Sequence, residues 1–325
     1  MRPILIHAGL RSGSTYFWSK FREKSTVMAF YEPFSEDLGR ATRHFLLTHG
    51  PDTWSSGHAP TAPYYQEYEP LLKEEATDGQ GIRGFHPSFS YQNYFLNSPV
   101  LDDQRAYLDS LIALATDARK QPVLGFCRSL GRTPWLKRHY PQAAHIVVVR
   151  NPVDQWLSGY HFYQSTRNPY FLINPVWCFR HPGDHPYVTA IASQWSSTLA
   201  TSALPLSTLY EIFLHIYAAG LITAIQEADL IVDMDLLSRS ATYQRAIAHS
   251  VHDLSNMTLD FSDCRITHYQ RHDVDFNLSD VTDRVVASVA QWISGTPDAR
   301  NWSMANPWTI LSRMELGAWR TLPDR

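Results

Sequence analysis

The sequence is poor in cysteine, and its three thiols (Cys127, Cys178 and Cys264) stand far apart with no CxxC pair. That excludes a disulfide framework and a cysteine-based zinc site. There is no run of Lys or Arg, and 28 basic against 31 acidic residues leave a net charge of -3. A nucleic acid or an anionic membrane surface is therefore not expected as the main partner. No basic segment followed by an apolar stretch opens the chain. A secretory signal is not expected, so the Asn-x-Ser/Thr triplets at Asn256, Asn277 and Asn301 carry no weight and the expected location is cytoplasmic. Uninterrupted hydrophobic runs are missing too. The most apolar window, residues 203–222, is broken by Pro205, Glu211 and His215, which predicts a buried helix rather than a membrane span.

What is present is a globular composition, 44% hydrophobic and 18% charged, with an ample core. The 325 residues admit two domains or one large α/β domain, and the chain reads as a single domain over residues 1–325. Its organising stretch is ILIHAGLRSGSTYFW, residues 4–18. Ile4, Leu5 and Ile6 predict a buried parallel strand. Gly9, Ser12 and Gly13 predict a tight loop, and Ser14 to Trp18 the opening of a helix. Strand, small-residue loop and helix N-terminus together form an anion cradle, with backbone N–H groups and the helix dipole facing the ligand. Arg11 adds a full cation with a planar fork suited to phosphate or sulfate oxygens. The loop differs from the nucleotide-triphosphatase form GxxxxGK[ST], because Ser14 rather than Lys follows Gly13.

Along the chain, residues 27–34 predict a second strand, with Glu32 at its carboxyl end before Pro33, the edge that faces the ligand crevice in an open parallel sheet. Residues 36–48 read as helical. Residues 50–100, punctuated by Pro51, Pro60, Pro63, Pro70, Pro87 and Pro99, read as an aromatic-rich excursion over the active face, an acceptor-binding region or lid. A helix is predicted over 103–118, a strand over 122–126, a short helix to about His139, and a central parallel strand at His145–Val149. A helix from Pro152 to Tyr163 follows, then a loop from Arg167 to Pro186 and helices near 187–200 and 205–221. A strand at 229–232 and an amphipathic helix around Val285–Ile293 complete the pattern. Strands alternating with helices give an α/β fold with a mostly parallel sheet, and residues 165–325 complete the same domain, mainly with helices.

The second signature is HIVVVRNPVDQWLSGYHFY, residues 145–163, in which a strand ends at Arg150 and Ser158 lies on the next helix. An Arg at a strand end offers a bidentate fork for a phosphate, and the Ser158 hydroxyl a further bond. The two stretches together, in this order, resemble sulfotransferases that use 3′-phosphoadenosine 5′-phosphosulfate (PAPS). The resemblance covers about residues 1–165 and afterwards only DLIVDMDLL. It implies a P-loop-type parallel sheet flanked by helices. By position it assigns Arg11, Ser12, Gly13, Ser14, Thr15 and Tyr16 to the 5′-phosphosulfate, and Arg150 and Ser158 to the 3′-phosphate. The Gly-rich segment with which cytosolic members complete the 3′-phosphate site has no obvious counterpart after residue 165.

Where cytosolic small-molecule members carry a catalytic His, this chain has Arg128. RSGST and Glu-Pro resemble instead the bacterial and Golgi carbohydrate sulfotransferases. The resemblance thus implies a glycan or small-molecule acceptor hydroxyl, no metal, and a carboxylate base, Glu32, with Arg11 serving at the leaving phosphate. Other roles stay open. Glu32 would equally cap a helix or pair with Arg11; Arg128 would bind acceptor, cofactor anion or a carboxylate; His86 is a rival base or an acceptor contact. Arg132 reads as a solvated charge, His161 as structural, and Trp18 as one candidate adenine contact, while Trp54, Tyr64, Tyr65 and Tyr68 are candidate sugar platforms. The competing functions are a P-loop kinase and a non-catalytic protein that binds nucleotide or a sulfated ligand. Oligomeric state is not legible.

Overall fold

The computed structural model describes residues 1–50, 63–74, 81–97, 101–199, 204–269 and 274–296, together with Ile310, Ser312 and Met314. Five strands, β1 (Ile4–Ala8), β2 (Val27–Tyr31), β3 (Gln121–Phe126), β4 (Ala144–Val149) and β5 (Leu230–Asp233), form one sheet in the order β2-β3-β1-β4-β5. Every pairing is parallel. β1, β3 and β4 are interior strands and read as continuous apolar runs because both faces are covered. β1 is the middle strand, and β4 lies next to it as the interior, parallel strand expected at His145–Val149.

Eleven helices of at least six residues surround the sheet among the described residues: α1 (Ser14–Arg22), α2 (Arg43–Thr48), α3 (Asp102–Asp117), α4 (Thr133–His139), α5 (Pro152–Thr166), α6 (Tyr170–Arg180), α7 (Pro186–Gln194), α8 (Leu206–Ile225), α9 (Met234–Arg239), α10 (Ala241–Ser255) and α11 (Leu278–Gly295). One core cluster joins α1 and α3 to the strands. The other gathers α5 to α8 and α11. The pleat of β4 divides between them: Ile146 and Val148 point into the first, Val147 and Val149 into the second. α8 is long and apolar enough to cross a membrane, but 83% of its apolar window is buried within the protein.

Three expectations are corrected. The strand expected over 27–34 ends at Tyr31, because Glu32 turns the chain at φ 42° ahead of Pro33. The loop expected between Arg167 and Pro186 is largely α6, which tolerates Pro175 inside it. The expected helix at 187–200 is α7 followed by a separate turn at Ser196–Leu199. α9 and α10 were not anticipated. Of the 50–100 excursion, the described parts contain 3-10 turns at Gln66–Leu71 and Pro87–Phe89, whereas Trp54, Pro51, Pro60 and Pro99 lie outside the described residues.

Arg132 is fully buried, not solvated. It donates to Phe89 O (2.6 Å), Ser90 O (2.8 Å) and Gln104 Oε1 (3.1 Å), and its guanidinium lies 4.4 Å from the centre of the Phe34 ring. One side chain thereby fixes the 87–97 segment onto α3 and the sheet edge. Trp18 is equally buried, with Gly125 leaving the room its indole occupies: a Cβ there would come within 2.7 Å of Trp18 Cδ1.

A buried polar chain runs across the sheet. His145 Nε2 donates to the Tyr140 carbonyl (3.1 Å), which makes its Nδ1 the acceptor for His7 Nε2 (3.1 Å), and His7 Nδ1 then accepts from Ser129 Oγ (2.9 Å). Burial holds both imidazoles neutral, His7 well below its ordinary value and His145 at about 4.

Two outcomes follow. Arg132→Ala orphans two buried carbonyls and should cost about 3 kcal/mol or more in denaturant unfolding. Because the unfolded imidazoles take up protons that the native ones refuse, stability should be fully present above about 6.5 and decline as pH falls towards about 4, measured as urea midpoints against pH.

Candidate active site

After β1 the chain leaves towards β2, and after β4 towards β5, so the two loops diverge from neighbouring strands. Such a switch point opens a crevice at the carboxyl edge of the sheet. Both signature stretches end there.

The first is shaped by backbone conformation. Arg11 (φ 65°) and Gly13 (φ 91°) lie in the left-handed region, which only Gly occupies without strain, and Ser12 N returns to Gly9 O at 3.3 Å. Gly13 caps α1 without a side chain, and the first helical bond is Phe17 N to Gly13 O (3.2 Å). The amides of Ser14, Thr15 and Tyr16 are therefore the free donors of the helix start.

Arg11 Nε donates to Ser158 Oγ (3.0 Å), and its guanidinium lies 4.9 Å from the centre of the Phe171 ring. Arg150 Nη1 donates to the Arg11 carbonyl (3.0 Å), Arg150 Nη2 donates to the Thr267 carbonyl, and Arg150 Nε is buried with no partner. Neither Arg11 nor Arg150 has a carboxylate ion-pair partner among the described residues. Burial lowers the Arg11 pKa from its ordinary value; Tyr269 opposes that and the like charge of Arg150 adds to it. Arg11 is half-buried and Arg150 buried, with the Asp154 carboxylate acting on Arg150 only at longer range, so the pair leaves positive charge that an anion can meet.

The segment after α10 closes this side. Tyr269 OH donates to Ser158 Oγ (3.3 Å), its ring stacks on His161, and Asp154 accepts from Tyr269 N (3.2 Å) and His268 Nδ1 (2.8 Å). Asp154, Asp235 and His268 have ligand atoms within 4.8 Å of one another, a grouping able to hold a cation. However, Arg239 Nη2 sits 2.8 Å from His268 Nε2, which brings positive charge to the same place.

Across the crevice the charge is reversed. Glu32 accepts from Arg128 Nη1, Glu36 accepts from Arg128 Nη2 (2.8 Å), Tyr91 OH accepts from Arg128 Nε (3.2 Å), and Tyr170 OH accepts from Arg128 Nη2. Tyr170 OH donates onward to Glu36 (2.7 Å), and Asn174 Nδ2 donates to Tyr91 OH (2.7 Å). Burial pushes the Glu36 carboxyl up, but Arg128 and Tyr170 outweigh it and hold the group below its ordinary value. Two carboxylates and one guanidinium leave this wall with one net negative charge. Between the walls is a void of about 650 Å³, part of it open to solvent, with Arg11, Thr15, Glu32, Tyr64, Tyr65 and Phe171 among its lining.

The structure thus brings together Arg11, Gly13, Ser14, Thr15, Glu32 and Arg128 at the crevice, with Arg150 and Ser158 bonded behind Arg11. Ser12 is buried beneath the loop. The Tyr16 side chain points elsewhere, donating to Asp263 Oδ1 at 2.6 Å, so only its amide faces the cradle. Glu32 pairs with Arg128, not Arg11, and Arg128 holds carboxylates rather than lying open to an anion.

His86 is exposed, caps a 3-10 turn and bonds Ser88 Oγ (2.8 Å), away from the crevice wall; the histidine in that wall is His49, whose burial lowers its pKa. Tyr68 belongs to the core, and Trp18 is buried beneath the loop rather than open to an adenine. Sequence reasoning missed Glu36, Tyr91, Tyr170 and Phe171. The spacing of Glu36 one turn after Glu32 was the available signal. Compared with protein-family models, curated proteins and solved structures, the chain matches none of them.

Removing the guanidinium that separates Glu32 from Glu36 leaves the buried Glu32 carboxylate without its cation and the half-buried Glu36 with only the Tyr91 and Tyr170 hydroxyls. Arg128→Met should cost about 3–5 kcal/mol at pH 8, and the loss should shrink as pH is lowered and the carboxyls protonate. Paired denaturation curves at pH 8 and pH 5 check this.

Proposed function

We propose that the protein is a PAPS-dependent sulfotransferase, which moves a sulfuryl group onto the hydroxyl of an acceptor of the carbohydrate or glycoconjugate class. The observation that carries this reading is the Arg11–Arg150 pair: a half-buried and a buried arginine, joined through the Arg11 carbonyl, neither in ion-pair contact with a carboxylate among the described residues, at the open N-terminus of α1. An anion with two separated phosphoryl-type groups would satisfy both. The residues present fit that group. The amides of Ser14, Thr15 and Tyr16 with Arg11 would hold its 5′ end, while the unpartnered Nε of Arg150 and the Ser158 hydroxyl would hold its 3′-phosphate.

Bound there, PAPS supplies an activated sulfuryl group. The chain supplies position and charge. Arg11 and the α1 dipole neutralise charge that gathers on the departing phosphate oxygen, the kind of stabilisation on which loose in-line displacements depend. Glu32, fixed by Arg128, would take the proton of the acceptor hydroxyl, while Arg11 would stand at the phosphate that leaves as its bond to the sulfuryl group breaks. Tyr64 and Tyr65, candidate sugar platforms by sequence, border the void but are 3% exposed and packed on Tyr31 and Phe45, so they offer edges rather than stacking faces.

Calorimetric titration with adenosine 3′,5′-bisphosphate should show micromolar binding, ATP should bind weakly, and Arg150→Ala should lose about 10–150-fold in bisphosphate affinity. Binding of magnesium-ATP with no response to the bisphosphate would sink the reading in favour of a kinase. Glu32→Gln should leave bisphosphate affinity nearly unchanged and slow sulfuryl transfer by about 10²–10⁴-fold. Unchanged turnover in Glu32→Gln would remove that residue from the chemistry.

A further inference from the structure

A second void, of about 600 Å³ and partly open to solvent, lies beside the first, between the β1 and β3 loops and helices α5, α6 and α8. The two voids share a wall of Leu10, Arg11, Cys127, Arg128 and Phe171. Beyond that wall the chemistry changes. Leu130, Trp156, Pro175, Phe213 and Ile216 make the second chamber apolar.

Most polar groups that reach it are already committed, the exceptions being Trp156 Nε1, which is buried without a partner, and Arg11 in the shared wall. Gln155 Nε2 donates to Leu10 O (2.8 Å), Tyr217 OH donates to Arg150 O (2.9 Å), and Asn174 Nδ2 donates to Tyr91 OH (2.7 Å). A free sugar placed here would lose water from its hydroxyls and gain few partners, whereas a hydrocarbon surface would lose nothing. The size is that of a small-molecule site, walled by three helices and by the loops after β1 and β3.

We propose that this chamber holds an apolar aryl or alkyl portion of the acceptor, so that the acceptor is an amphiphile. Its sugar ring lies in the first void, near Glu32, and its apolar aglycone passes the wall of Leu10 and Phe171 into the second. The word acceptor rests on the sulfotransferase reading; the class of ligand the chamber takes rests on its own walls.

The test is calorimetry with octyl β-D-glucoside, kept below its micellar concentration, against methyl β-D-glucoside, with adenosine 3′,5′-bisphosphate titrated separately. The octyl glycoside should bind at least about tenfold more tightly, since its added methylene groups leave water. Filling the chamber from α8 with Ile216→Trp, or from α6 with Cys178→Phe, should abolish that preference in whichever variant melts as a folded protein, with bisphosphate affinity retained. Equal binding of the two glycosides to the wild-type protein overturns the inference, and so does a preference that survives both substitutions. An octyl preference that maps to the chamber, in a protein deaf to the bisphosphate, leaves the chamber standing and removes the sulfotransferase.

Discussion

One guanidinium ties the active face together. Arg128 is 2% exposed and reaches Glu32 at the end of β2, Glu36 in the turn after it, Tyr91 in the long excursion and Tyr170 on α6. Three segments distant in sequence converge on its N–H donors. A buried arginine is tolerable only when its donors are met by acceptors of opposite charge, and here two carboxylates and two phenol oxygens meet them. The fixed direction of the Glu32 carboxylate, the seating of α6 and the closed end of the crevice all depend on it.

The opposite wall breaks the same rule. Arg11, half-buried, and Arg150, buried, lie next to each other and are held by a hydroxyl and backbone carbonyls, with no carboxylate in ion-pair contact among the described residues. Within one crevice, one arginine is over-compensated and the other two are under-compensated. A fold tolerates such asymmetry where a ligand completes the charge. Consecutive residues of α6 register both sides, since Tyr170 bonds to Arg128 while Phe171 lies against Arg11.

Much of this was legible in the sequence, for physical reasons that differ by element. β1, β3 and β4 announced themselves because parallel strands covered on both faces must be apolar throughout, and the Gly13 turn because a left-handed residue before a helix favours Gly. Local patterns located Arg11, Arg150, Ser158 and Glu32 at strand ends. What they could not give is who faces whom. Glu36 and Tyr170 matter through a partner 92 and 42 residues away, respectively, and no period or cap records such a pairing. α6 was hidden because Pro175 and the flanking prolines imitate a loop, although burial of Leu172, Val176 and Phe179 outweighs that local signal. Arg132 misled for the same reason: a charge near a helix start looks solvated until its acceptors arrive from residues 89, 90 and 104.

The place of β1 in the sheet has a consequence for how the chain is made. Of the five strands of the sheet, the first to be synthesised is the middle one, and its two neighbours begin only at Gln121 and Ala144. Until then Ile4–Ala8 is an apolar, unpaired strand whose edges nothing covers, the kind of segment that recruits other chains. The ring of long-range pairings that makes the cradle is thus also its kinetic burden. The protein should fold slowly, with a strong dependence on chaperones that shield nascent chains, and the anion loop should take its final shape only after residue 150 has emerged.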